Sequence, residues 1–225
     1  MKRAILATVA ALGALALLGT PAAAADDTTL ANAKKLTTVR IDGRIAALKA
    51  DGVAIRNAAR LSDAHQNAIQ AILDHDIAGL IALRTKVAGE TTGQAVKDDA
   101  HSMVVDYRVY MLVGPQVRLS IAADVAAAVD TRLGDVAGKL QQAIDSAKAA
   151  GKDVSAAQAR LDDMEAQLSV ASVDGVADTL IAVQPSPDAD ALKAAKDAAR
   201  TKIRDARTHL KNAVADAKAI RDLLT

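Results

Sequence analysis

Apolar residues recur at intervals of three and four along most of the chain, the spacing of an amphipathic helix. Ile41, Ile45, Leu48, Ile55 and Ala59 predict a helix from Asp27 to about Arg60, weakest near Gly43 and Gly52. Ser62 then reads as an N-cap, with Asp63 in the first turn of a helix reaching about Ala88. In it Ile69, Ile72, Leu73, Ile77, Leu80, Ile81 and Val87 form one broad apolar stripe, the mark of a core-facing helix. Gly89 to Gly93 punctuates. A third helix, from about Gln94 to Val113, is expected to end at Gly114-Pro115, where proline lacks the N–H a helix needs and forces a break or kink.

Beyond the proline the pattern is longer. Ile121, Val125, Val129, Leu133, Val136, Leu140, Ile144 and Ala147 lead to Gly151, placed where a left-handed C′ residue belongs. Ser155 and Gln158 predict a capping box with Val154 as its staple. The helix that follows carries Ala157, Leu161, Met164, Leu168 and Ala171, blurs at Asp174-Gly175 and resumes at Val176, Leu180 and Val183. Pro185-Ser186-Pro187-Asp188 reads as a stop and a start, with Ser186 as N-cap and Pro187 at the first helical position. Leu192, Ala195, Ala199, Ile203, Ala206, Leu210, Ala213, Ala217, Ile220 and Leu224 form a coiled-coil seam with small residues at half its positions.

The short connections at 151–154 and 184–186 require antiparallel neighbours, so 116–150, 155–183 and 187–224 are expected to form an up-down-up bundle. The fold class is therefore all-α, an elongated antiparallel helical bundle with coiled-coil hairpins and about five or six helices. Three segments follow: a leader over residues 1–25, an N-terminal helical segment over 26–114 and a three-helix coiled-coil bundle over 115–225, the last two able to form one domain.

Composition sharpens this picture. Of 225 residues 54 are alanine, and Cys, Trp and Phe are absent. No disulfide scaffold, thiolate metal site, cysteine nucleophile or aromatic cage can be built from such a chain. The N-terminus has the three parts of a secretory signal: Lys2 and Arg3, an uncharged apolar stretch from Ala4 to Leu18, and small residues Ala22 to Ala25 after Pro21. This predicts a secreted or extracytoplasmic protein, cell-wall associated in one version, with no transmembrane span after cleavage. Charge is balanced overall at +1 but not along the chain. Between Leu192 and Leu224 nine Lys or Arg face four Asp, so the final helix is basic and the preceding chain acidic.

Two regions attract functional hypotheses. The tract from Met103 to Arg118 holds both tyrosines inside the most apolar stretch. Asp106, Arg108, Tyr110 and Arg118 are candidates for a polar pocket at the Pro115 kink, Asp106 and Tyr110 being one turn apart on a shared face. Alternatively these charges pair with one another and lock the bend. On the last helix, Lys193, Lys196, Arg200, Lys202, Arg204, Arg207 and Lys211 are candidates for holding a polyanion such as an anionic cell-envelope polymer or glycan. The alternative is a solvated face that offsets the acidic helices. Specific nucleic-acid recognition is not expected without aromatic stacking platforms. The four histidines, His65, His75, His101 and His209, form no helical pair, so solvated ion pairs such as Asp98 with His101 and Asp205 with His209 are expected, and neither a metal site nor a cofactor. No phosphate loop, nucleophile elbow or zinc-protease motif is present, so enzymatic chemistry finds no support.

The tract Asp106-Tyr-Arg-Val-Tyr110 leading through Pro115 to Val117-Arg118-Leu119 and Ala122-Ala-Asp124, the hairpin Ala147 to Val154 and the final Ala/Arg/Lys/Asp helix together resemble an uncharacterised family of exported, alanine-rich, all-helical proteins of high-GC Gram-positive bacteria. That resemblance implies export and a helical fold but no catalytic residues. The expected function is a non-enzymatic structural or adhesion-type module at the cell envelope, self-associating through exposed coiled-coil seams. The alternative is an extracytoplasmic small-ligand or lipid carrier that uses the region around Pro115.

Overall fold

A computed structural model describes residues 22–225, with side chains from Asp27 onward. The leader expected over residues 1–25 lies almost wholly outside the described residues. Seven α-helices follow in order: α1 (Ala22–Arg56), α2 (Asp63–Gly89), α3 (Gly93–Val105), α4 (Gly114–Ala149), α5 (Ser155–Val170), α6 (Val176–Ile181) and α7 (Ala189–Leu224), with a π-helical turn at Val109–Val113 between α3 and α4. The fold is an all-α helical bundle, as the periodicity predicts. The expected five or six helices are met, the six-residue α6 being a short continuation of the α5 arm after the interruption at 171–175.

Two apolar cores are stacked along α4. One joins α1, α2 and α3 to the π-turn and the start of α4 through Ile41, Leu48, Ile55, Ile69, Leu73, Leu80 and Met103. The other fills the bundle of α4, α5, α6 and α7 around Ile144, Leu161, Met164, Ile203 and Ile220. At about 1.5 Å per residue, α4 and α7, each of 36 residues, run about 54 Å. The seam of α7 is buried much as its spacing predicts, with Asp216 as a polar member held by Arg160 at 3.3 Å.

Several local expectations are corrected. On α4 the buried line passes through Ala123, Ala126, Leu133, Ala137 and Ile144, while Val125 and Val129 are exposed. Val125 and Val129 instead line a shallow groove with Arg207, Leu210 and Val214 of α7. Ile81 on α2 is likewise exposed. The capping box at Ser155 does not form; both the backbone N–H and the hydroxyl of Ser155 donate to Asp153 Oδ1, so Asp153 supplies the cap. At the last helix Asp188, not Ser186, is the N-cap, accepting from the N–H groups of Asp190 and Ala191, and Ser186 Oγ accepts from Asp188 N–H one step earlier. Ser62 and Gly151 take the expected roles: Ser62 Oγ accepts from His65 N–H, and Gly151 closes α4 at φ 78°.

His65 ties the two cores together. Its Nδ1 lies 2.9 Å from Asp124 on α4 and its Nε2 3.1 Å from Asp178 on α6. Burial opposes the charge on this ring, but the two carboxylates outweigh it and raise its pKa. With Ser62 Oγ committed to the helix cap and both ring nitrogens on carboxylates, the Ser62–His65–Asp124 cluster is a clasp rather than a nucleophile and its base.

The run 93–149 is long and apolar enough by composition to cross a membrane, and 44% of its most apolar window is buried inside this fold. The core helix of a folded bundle meets the same criterion.

Candidate functional site

The break expected at Gly114-Pro115 lies upstream. α3 stops at Val105, and Arg108 adopts a left-handed conformation at φ 44°, rare for a residue with a side chain. The chain then re-enters through the π-turn, where Gly114 N–H donates to Val109 O. Pro115, with no N–H, falls in the first turn of α4, where a donor is not needed.

The left-handed step separates the four residues expected to face one ligand. Asp106 is exposed at the end of α3 and accepts from the Ser102 hydroxyl. Arg108 turns toward the connection between α6 and α7, donating from Nε to Ser186 O at 2.9 Å and from Nη2 to Pro187 O at 3.0 Å, with Nη1 3.8 Å from Met111 Sδ. Tyr110 is 61% exposed and lies against α1, where the Arg44 guanidinium sits 5.2 Å from its ring centre. Arg118 faces Asp51 of α1 beside Gly114. There burial raises the Asp51 carboxyl above its usual pKa and Arg118 pulls it back. Nor do the charges lock the bend by pairing with one another: each has a separate partner.

A cavity of about 680 Å³ nevertheless opens at this break. α2 supplies Ile72, His75 and Asp76; the end of α3 adds Val105 and Asp106. The π-turn adds Leu112 and Val113, α4 adds Gln116, and the connection after α6 closes one wall with Val183, Gln184, Pro185 and Pro187. That wall is held in place from two sides. Gln116 Nε2 donates to Leu180 O at 2.6 Å, which also accepts from the Val183 N–H, and to Val183 O at 2.9 Å. Arg108 grips the wall three and four residues beyond Val183, at Ser186 and Pro187.

Asp76 is the anomaly of this cavity. It is 4% exposed, its Oδ2 is shut from solvent without a hydrogen-bond partner, and burial pushes its pKa up to about 6, His75 drawing it slightly down. A buried carboxyl left unpaired is costly. The sequence did carry a signal for it. Asp76 occupies a core position in the buried line Ile69, Leu73, Asp76, Leu80, Leu83, Val87 of α2. The run Asp74-His75-Asp76 disguises it as a solvated patch. Nearby, Tyr107 packs its ring on α2 at Gly79, where a Cβ would come within 2.5 Å of the phenol oxygen. Burial, with Asp106 and Asp76 close by, raises the pKa of that phenol.

On the last helix, Arg200, Arg204, Arg207 and Lys211 border a groove of about 580 Å³ floored by Leu119, Ala122 and Ile203. Lys193, Lys196 and Lys202 lie outside it. Arg200 and Arg204 are paired with Asp197 at 2.8 Å and Asp205 at 3.2 Å in exposed contacts. The expected pairing of Asp205 with His209 is not formed; His209 Nδ1 lies 2.7 Å from Gln167 Oε1 instead. Among the described residues no group of three or more His, Asp or Glu is arranged to hold a metal ion. No known protein family matches the chain, and no curated protein or solved structure is significantly similar to it.

Proposed function

We propose that this chain is an exported, non-enzymatic helical bundle that works as a small-ligand carrier, with the cavity at the α3–α4 break as its binding site. The observation that carries this reading is Asp76, buried and unpartnered on the wall of a cavity of ligand size. A wall gripped by Arg108 and Gln116 keeps such a site preformed, which lowers the cost of binding. The test is native mass spectrometry of the full chain, followed by solvent extraction and a thermal-unfolding screen of small apolar molecules. A ligand at a hundred times its Kd adds about 2.7 kcal/mol of stability. Ala71→Trp, at an exposed position on the cavity wall, should abolish that gain while the unliganded protein stays folded. If nothing is extracted and no compound shifts the melt, the carrier reading is wrong.

A second reading, an adhesion-type module at the cell envelope, rests on the four cations gathered round the groove of α4 and α7. It predicts that the mature protein pellets with isolated envelopes at low salt and is released at high salt. Charge reversal at Arg207 and Lys211 should leave it in the supernatant. Sedimentation that is insensitive to salt would remove the electrostatic basis of this reading.

A further inference from the structure

We infer that the cavity takes a protonated amine carried on an apolar body, with the Asp76 carboxylate as its counter-ion. This deepens the carrier reading and rests on it. Four observations converge. Asp76 makes no hydrogen bond, and its Oδ2 is sealed from water, so the fold itself supplies no donor to this carboxyl. No Lys or Arg lines the cavity. Arg108, close by, is not part of that lining and directs its guanidinium at Ser186 O, Pro187 O and Met111 Sδ. The remaining wall is largely apolar, with Ile72, Val105, Leu112 and Val113 opposite the proline-rich connection, and suits a hydrocarbon body rather than a sugar or a phosphate.

The charged and titratable groups around Asp76 favour a cation over an anion. His75 on α2 sits at the exposed mouth, and Asp106 at the end of α3 adds a second carboxylate to the lining. The Tyr107 phenol lies beside Asp76, while Gln116 of α4 and the 183–187 connection bring no titratable group. An anionic ligand would meet two carboxylates with only His75 to oppose them, and a neutral one would leave the Asp76 charge without a counter-ion. Because Asp76 takes up a proton near pH 6, an amine held through it is released on mild acidification.

Isothermal titration of the full chain with three probes of one chain length, octylamine, octanol and octanoate, at pH 7.5 and pH 5.0 tests this. Octylamine is expected to bind at one site at least tenfold more tightly than octanol at pH 7.5, with octanoate weaker still. Lowering the pH to 5.0 should weaken octylamine about tenfold and leave octanol unchanged. Asp76→Asn should erase the amine's advantage while keeping the affinity for octanol, which also shows that the variant is folded. Octanol or octanoate binding as well as octylamine would overturn the amine assignment and leave the carrier reading standing. An amine preference that survives in Asp76→Asn would overturn the role of Asp76. If none of the three binds to a protein with an intact cooperative melt, the carrier reading falls as well.

Discussion

Nine of the nineteen buried residues in the core of α4 to α7 are alanine, whereas none of the fourteen in the core around α1 to α3 is. The same alanine-rich chain thus packs in two ways. In the C-terminal bundle small residues meet across the seams, so the helices lie close and each contact removes little apolar area from water. In the N-terminal core Ile, Leu and Met interdigitate, and alanines such as Ala54, Ala71 and Ala78 face outward. Large side chains must fill the space between helices by shape. Where α3 stops and the chain turns through Arg108, that filling is incomplete, and the cavity opens on the flank of the large-residue core. Composition read over the whole chain describes only the second half of this protein.

Substitutions that exchange the two packing styles should separate them. The largest effect is expected for Leu73→Ala, which leaves a hole under a fully buried side chain and should cost about 2–5 kcal/mol in denaturant unfolding. A loss below about 1 kcal/mol would mean the N-terminal core is as tolerant as an alanine seam. Next comes the charge inside that core. The folded pKa of Asp76, about 6, lies above its unfolded value near 3.8, so the folded state holds a proton that the unfolded chain has released between those limits. Stability contributed by this group is therefore greatest at acid pH and is lost as pH rises through the window from about 4 to 6. Asp76→Asn should remove that slope and raise stability at pH 7 by up to about 3 kcal/mol. The bundle is probed in the opposite sense. Ala213→Leu forces bulk into a fully buried seam position and should cost about 1–3 kcal/mol, read as a lowered unfolding midpoint. The smallest effect concerns the clasp between the cores. His65 has a raised pKa, so its contribution is complete below about 6.5 and fades as pH rises through its folded value. Its replacement by alanine should cost about 1 kcal/mol at pH 6 and less at pH 9, measured by thermal melts.

How much of this was legible in the sequence follows from the same contrast. The α7 seam was legible because its large and small apolar residues share one face, and the turn at Gly151 because a single residue type suits a left-handed cap. The buried line of α4 is less legible, because Val125 and Val129 look like core residues by spacing while alanine holds three of the five buried positions on that line. The four polar residues of the 106–118 tract were right about where a cavity opens and wrong about who lines it. Of them only Asp106 reaches the cavity. The reason is local: a non-glycine residue in a left-handed conformation cannot be read from periodicity, and one such step sends Tyr110 and Arg118 toward α1. Asp76 was within reach, since an acid on a core stripe is a conflict visible in spacing alone. Gly79 was not, because nothing in the chain says that Tyr107 will lie across it.

The grip of Arg108 on the carbonyls of Ser186 and Pro187 joins positions 78 and 79 residues apart. A chain that emerges N-terminus first can therefore complete the core of α1 to α3 long before its cavity has a fourth wall. Until the segment after α6 arrives and is caught, the cavity beside Asp76 is walled only by α2, the end of α3, the π-turn and the start of α4. The cavity is thus completed only after the large-residue core beside it has all of its own chain.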